Sequence, residues 1–597
     1  AGISTQANLD QITAGTLSWP ATSANALGNI DDLWHASVNG RGKFIEASDP
    51  DSFVSGLRNA LATIAERTSS SSNVAANSTR LDTGTQVFQA NFITGRWTGD
   101  LISYPVSAAG VGVTPPWRAS QNMPVWSSRN IITWNTASNV GSDFPTAAQQ
   151  TALGGVNVTN YLRGNQTLIE SNGGPYRNRL SLLGDIDHSS PIFVVGDTTV
   201  TPNIPAMVYV GGNDGMLHAF NASTGVEVFG YIPGGTNLAT LKTLSDPDYQ
   251  HAYFVDGELA ISSKAQTPGQ NILVGVMGRG GKTVYAIDVT DPANVDETKV
   301  LWEYSNAELG NVLGKPIIAK INDSSNRTGV LIGNGFNSAS GHSALFVLDI
   351  ATGTLIKKLD PAVGNTTTLS NGMSTPRGWD IDRSGTIDEV YAGDLLGNIW
   401  KFDLSSSTIS NWDSAFKTGS VMNPFYSAKD ALGNAQPITG GLSVGLDPNT
   451  FARWVFFGTG RYLTSGDPAS QAVQTWYGMM DASAKIATNN RTTNDQLKER
   501  KTKVVTTQSG KIVRAFEEPV AGDMTGYKGW YVDLVDSTTS PVTKEGERII
   551  TDSVLIGGVL IAASIIPTNS SCDVGGRGFI NAIDPFTGGA VDTAFFD

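Results

Sequence analysis

A chain of 597 residues is too long for one ordinary hydrophobic core, so it holds several domains or one repeat architecture that absorbs the length. Its 40% hydrophobic residues exclude disorder, and 66 glycines with only 16% charged residues describe a turn-rich, strand-friendly chain, not a coiled coil or collagen. Lys and Arg total 40 against 54 Asp and Glu, a net charge of −14, which excludes a general attraction to nucleic acid or anionic lipid and favours cations as partners.

Cys572 is the single cysteine, so neither an intrachain disulfide nor a Cys-rich metal site is available. The start, Ala1-Gly2-Ile3-Ser4, lacks the basic and apolar regions of a signal peptide, and the chain reads as mature, a fragment or cytosolic. Asp49-Pro50-Asp51-Ser52 then supplies a cap, a proline at the first helical position and an acidic first turn. Phe53, Val54, Leu57, Leu61, Ile64 and Ala65 follow at helical spacing and predict one helix, ending near Arg67. The Ser-rich stretch from Thr68 to Asn73 reads as a linker. The predicted organisation is an N-terminal segment over 1–80 and a second domain over 81–597.

Within 81–597 one pattern recurs: a β-rich run, often a glycine turn, alternating apolar residues ending in Asp or Asn, then often Thr-Gly. In chain order the copies are Gly99 to Tyr104, Met207 to Asn221 with Thr224-Gly225, Thr283 to Asp288, Ala344 to Asp349 with Thr352-Gly353, Asn398 to Asp403, Thr475 to Asp481, and Phe579 to Asp584 with Thr587-Gly588. Seven copies predict an all-β fold, a seven-bladed β-propeller, because a four-stranded sheet with two apolar faces needs a neighbour on each side. Two β-sandwiches are the alternative. The long gaps imply inserted loops over 136–160 and 485–510. The apolar run from Val554 to Ile566 is too short to span a bilayer and reads as buried strand, so the chain is not expected to be an integral membrane protein.

The sharpest local signal is Gly378-Trp379-Asp380-Ile381-Asp382-Arg383-Ser384-Gly385-Thr386-Ile387-Asp388-Glu389. Side-chain oxygens at Asp380, Asp382 and Ser384, the backbone carbonyl of Thr386 and a closing carboxylate at Asp388 match the spacing of an EF-hand loop, with Gly385 at its turn position. The closing carboxylate stands at position 9, not 12, and a strand follows, so a calcium loop on a β-scaffold is expected. An all-oxygen cage favours Ca²⁺ over Mg²⁺. A rival run, Gly184-Asp185-Ile186-Asp187-His188-Ser189-Ser190-Pro191, reads as a turn between strands, and the five histidines show no paired metal spacing.

Enzyme motifs fail on context. Gly441-Leu442-Ser443-Val444-Gly445 matches a nucleophile elbow, but turn and strand follow where a helix is required, so Ser443 is not expected to be catalytic. Gly280-Gly281-Lys282-Thr283 resembles a P-loop tail, yet Val276 stands where the motif needs glycine.

The run from Gly378 to Ser405, with Gly95 to Leu101, Leu183 to Pro191 and Val208 to Phe220, resembles the PilC/PilY family of type IV pilus biogenesis factors and tip-associated adhesins. The resemblance covers most of 81–597, and the predicted helix is similar to the family's junction with a von Willebrand A-like region. It implies a modified seven-bladed propeller with a calcium loop at Asp380, Asp382, Ser384, Thr386 and Asp388, where Ser384 departs from the family's usual Asp or Asn. It also implies no enzymatic activity, export to the pilus tip or cell surface with outer-membrane or periplasmic association, minor pilins and host-cell or abiotic surfaces as partners, and a role in the balance of pilus extension and retraction, twitching motility and adhesion. No Arg-Gly-Asp motif occurs. A quinoprotein (PQQ-type) dehydrogenase, which also pairs a Trp-rich propeller with Ca²⁺ but often carries adjacent cysteines, and a periplasmic scaffold propeller are the competing readings.

Overall fold

The structure is a computed structural model that describes residues 11, 14, 16–18, 70–76, 85–93, 95–367, 369–482, 496–508, 511–568 and 576–591. The helix expected after Asp49 lies outside these residues. Two compact units divide the chain, Ala1–Ser70 with Phe92–Thr98, and Ser71–Asn91 with Gly99–Asp597. In the first, the amides of Thr16 and Leu17 close a turn on the carbonyl of Gln11, at 2.9 and 3.2 Å.

The second unit is built almost wholly of strands. Among the described residues they form seven sheets of three or more strands and two two-stranded ribbons. Each of the seven sequence copies falls in a different sheet, on the strands Thr98–Ser107, Leu217–Asn221, Thr283–Asp288, Leu345–Asp349, Asn398–Asp403, Thr475–Asp481 and Gly576–Ile583. Period-2 alternation lets one strand serve two neighbours. In Thr283–Asp288, Tyr285 and Ile287 pack with Tyr209 and Tyr231 of the preceding sheet, while Val284 and Ala286 pack with Phe346 and Leu348 of the next. Six apolar clusters of this kind join consecutive sheets from the first to the seventh. Each fully buried Leu, Ile or Phe in them contributes about 1.5–3 kcal/mol.

The Thr-Gly turns have a second purpose. Gly225, Gly353 and Gly588 adopt φ of 70, 70 and 71°, and a Cβ there would approach the indoles of Trp117, Trp302 and Trp530 to 2.5, 2.5 and 2.4 Å. Each indole comes from the preceding sheet and donates its N–H to a carbonyl of the turn segment, Ala222, Ile350 and Pro585, at 2.9, 2.8 and 2.7 Å. Glycine is needed for the left-handed backbone and for the room.

A buried ionic network pins the second sheet. Arg129 Nε and Nη2 donate to Glu227 at 2.6 and 2.7 Å, His218 Nδ1 meets Glu227 at 2.7 Å, and His218 Nε2 lies 3.1 Å from Asp214. Burial opposes these charges, yet Arg129 holds Glu227 down to about 2, and Asp214 with Glu227 lifts His218 to about 9.

Three expectations are corrected. The Ser-rich linker contains a strand, Ser70–Ala76, at the edge of the first sheet, because serine tolerates extended backbone where an edge supplies hydrogen bonds. The segment 136–160 is not loop alone: it holds the strand Val140–Asp143 and helices Ala147–Ala152 and Val156–Arg163, the first started by a Thr146–Gln149 capping box. The described part of 485–510 carries strands Lys498–Arg500 and Thr502–Gln508. Val554 to Ile566 is strand, as read, but turns at Gly557-Gly558 into a hairpin whose Val554 and Ile556 are exposed.

Candidate metal centre

The acidic loop sits where two sheets meet. It leaves the strand Arg377–Trp379 and re-enters the same fifth sheet at Glu389–Gly393, with Trp379 opposite Glu389. On the way its short strand Thr386–Ile387 pairs in parallel with Ile317–Ile321 of the fourth sheet. Both ends are therefore fixed, and the turn is made by Arg383 at φ 59° and Gly385 at φ 88°. A glycine fits there because only it enters this region without steric cost.

Carboxylate oxygens of Asp380, Asp382 and Asp388 lie within 4.8 Å of one another. Asp388 is buried at the floor, Asp380 is half-buried and Asp382 is exposed at the rim. Their hydrogen-bond partners are neutral. Ser384 N donates to Asp380 at 3.1 Å and to Asp382 at 3.0 Å, Gly385 N donates to Asp380 at 2.8 Å, and Ile381 N donates to Asp388 at 2.7 Å. Hydrogen bonds from Ser384, first its side chain and then its amide, hold Asp382 below the ordinary carboxylate range. Three carboxylates hydrogen-bonded by amides and a hydroxyl form a cradle of excess negative charge that a hard divalent cation would neutralise. Of the remaining sequence-predicted residues, Ser384 Oγ and Thr386 Oγ1 lie 2.7 Å apart, pairing with each other on the same loop.

One supporting residue was not foreseen. Asn322, just past the fourth-sheet strand, donates to Asp388 Oδ1 at 2.9 Å and accepts from Thr386 Oγ1 at 2.9 Å. Nothing in the sequence near residue 322 points to residue 388; the parallel pairing of Lys320 with Thr386 brings them together. Glu389, the next residue, turns to the opposite face and pairs with Arg453 of the sixth sheet at 2.8 Å and with Lys401 at 3.0 Å. Strand alternation thus separates a carboxylate hydrogen-bonded by neutral groups from one matched by cations.

The enzyme-like motifs take structural places. Ser443 opens the strand Ser443–Leu446, is buried and donates to the carbonyl of Ser553; a hairpin to Arg453–Gly458 follows. The Gly-rich run at 280–283 leads directly into strand Thr283–Asp288. Among the histidines, His35 lies outside the described residues and His218 is the buried network residue. The run 184–191 holds neither helix nor strand, bends at Asp187 and His188 and leads into strand Ile192–Val194, in line with the turn expected there.

A family model described as the PilY1 beta-propeller domain matches residues 180–511. A type IV pilus biogenesis factor PilY1 homolog of Xylella fastidiosa is 36% identical over 582 residues, covering 93% of this chain and 45% of that protein. Type IV pilus biogenesis factor PilY1 of Pseudomonas aeruginosa UCBPP-PA14 is 31% identical over 687 residues, covering 100% of this chain and 58% of that protein. The chain thus spans about half the length of the curated relatives it matches. The crystal structure of the Pseudomonas aeruginosa PilY1 C-terminal domain superposes with a TM-score of 0.51 at 30% identity, covering 65% of this chain and 81% of that one. The sheet series, the family match and the superposition agree, and the chain belongs to the PilY1 beta-propeller family.

Proposed function

We propose that the chain is the propeller portion of a type IV pilus biogenesis factor, with its seven sheets closed as seven blades and one Ca²⁺ held by Asp380, Asp382, Ser384, Thr386 and Asp388. The observation that carries the ion is the convergence of three carboxylates whose partners are amides and hydroxyls on a loop fixed at both ends. Bound there, Ca²⁺ would draw the rim residue Asp382 toward the buried Asp388 and tie the fourth and fifth sheets through Asn322. The loop then acts as a structural or regulatory switch, not a catalyst. The biological reading rests on the relatives' role in pilus biogenesis: an exported protein at the pilus tip or cell surface, contacting minor pilins and host or abiotic surfaces, supporting pilus extension against retraction, twitching and adhesion. The chain's own work is recognition, without enzymatic turnover. Two experiments test this. Calorimetric titration should find one Ca²⁺ site in the parent and a strongly weakened one in Asp388→Ala; equal affinities would overturn the site. Replacing the chromosomal gene with Asp388→Ala should change pilus number or twitching at unchanged protein level; unaltered pili and motility would overturn the regulatory role.

A further inference from the structure

A cavity of about 310 Å³ lies between the second and third sheets, well away in sequence from the acidic loop. Its apolar walls are Val194, Ile204, Pro205 and Met207 from the first hairpin of the second sheet, and Val289 and Pro292 from the segment after strand Thr283–Asp288. Tyr209, on the strand Met207–Gly211, also lines it and is fully buried. Val195, 77% exposed, stands at the mouth.

One polar side chain of this lining is unmatched. The buried Tyr209 hydroxyl makes no hydrogen bond to any described residue. The other polar side chains around the cavity are all engaged: Lys264 donates to Asp197 at 2.9 Å, Ser263 to Gln266 at 3.1 Å, Asn271 to the Ser262 carbonyl at 2.7 Å, and Thr290 to Asp288. Buried hydroxyls are ordinarily partnered, and a phenylalanine would fill the same apolar space without leaving a donor unmatched. Burial pushes the Tyr209 pKa up, so the group stays protonated and keeps its donor.

We infer that this cavity binds a neutral, mainly apolar small molecule of about two fused rings, whose one acceptor atom meets the Tyr209 hydroxyl. The volume sets the size: an apolar cavity of about 150 Å³ takes one benzene, and this one is about twice as large. Neutrality follows from the rim, where Lys264 and Asp197 cancel each other and leave no net charge to hold an ion. Apolar walls with a single placed polar group are the usual make-up of a small-ligand site. The site is separate from the acidic loop and does not depend on an ion there.

The test uses the whole chain and two bicyclic probes: indanone, which carries one carbonyl acceptor, and indane, the same frame without it. Calorimetry on the parent should find one site for each, and both should raise the melting temperature. Tyr209→Phe should weaken indanone about 5-fold, the worth of one hydrogen bond, and leave indane unchanged. Without ligand this variant should melt no lower than the parent, because the hydroxyl has no protein partner to lose. Ile204→Trp, filling the cavity from a half-buried position, should abolish binding of both probes. Should it unfold, Val195→Trp at the exposed mouth gives the same reading. The assignment is overturned by a parent that binds no indanone at millimolar concentration, by equal indanone affinity in parent and Tyr209→Phe, by equal weakening of both probes in that variant, or by binding that survives the filled cavity.

Discussion

Two charged clusters in this chain solve opposite problems. The network of Arg129, Asp214, His218 and Glu227 is fully buried and contains two cationic and two anionic groups, each within 3.1 Å of an opposite partner. The loop at 380–388 opens to solvent and gathers three carboxylates with no side-chain cation among their hydrogen-bond partners. In a low-dielectric interior an unmatched charge costs several kcal/mol, so the chain must supply every counter-charge itself. At the surface, water tolerates the excess. The first cluster is balanced from within, and the second keeps an excess of negative charge at a fixed loop, where we propose the ion.

The largest effect that would break this contrast is expected in the buried cluster. Glu227→Gln leaves Arg129 and His218 without their shared carboxylate, and a loss of about 3–5 kcal/mol in urea unfolding is expected; a loss below 1 kcal/mol would show that the network is dispensable.

The same cluster fixes a pH window. Glu227, held down to about 2 from an ordinary 4.5, contributes stability that is present above 4.5 and lost as pH falls toward 2. His218, raised from 6.5 to about 9, contributes stability that is present below 6.5 and lost as pH rises through 9. Each limb is on the order of 3 kcal/mol. Denaturant midpoints followed from pH 3 to pH 10 should therefore peak between about 4.5 and 6.5, and the acid limb should flatten in Glu227→Gln. A flat profile in the parent would contradict the charged state of the network.

At the loop, the parent at calcium 100 times its Kd should gain about 2.7 kcal/mol. Asp388→Ala should gain almost nothing while melting normally without calcium, because the sheets bury their faces independently of the loop. A calcium-dependent rise of equal size in both proteins would remove the distinction between the clusters.

The smallest change sharpens the loop's design. Ser384→Asp adds a fourth carboxylate and should raise calcium affinity on the order of tenfold; unchanged affinity in calorimetry would place residue 384 outside the coordination shell.

The sequence alone carried whatever is written in consecutive residues. Asp380, Asp382 and Asp388 belong to one turn whose glycine and spacing can be read without a fold, and the three carboxylates do converge. The seven strand copies were legible for the same reason, since period-2 alternation and Thr-Gly turns are local, and each copy occupies its own sheet. The capping box at Thr146 and Gln149 was equally local, and polar composition concealed it. Tertiary structure alone decided the pairings of distant segments: Asn322 with Asp388, Arg129 with Glu227, and Asp187 and His188 with Asp256. In those pairs, strand pairing within a sheet or packing between sheets brings together groups that lie tens of residues apart in the chain. A carboxylate such as Asp256 has no local pattern to mark it, because its partner His188 comes from a segment 68 residues earlier, before the preceding sheet.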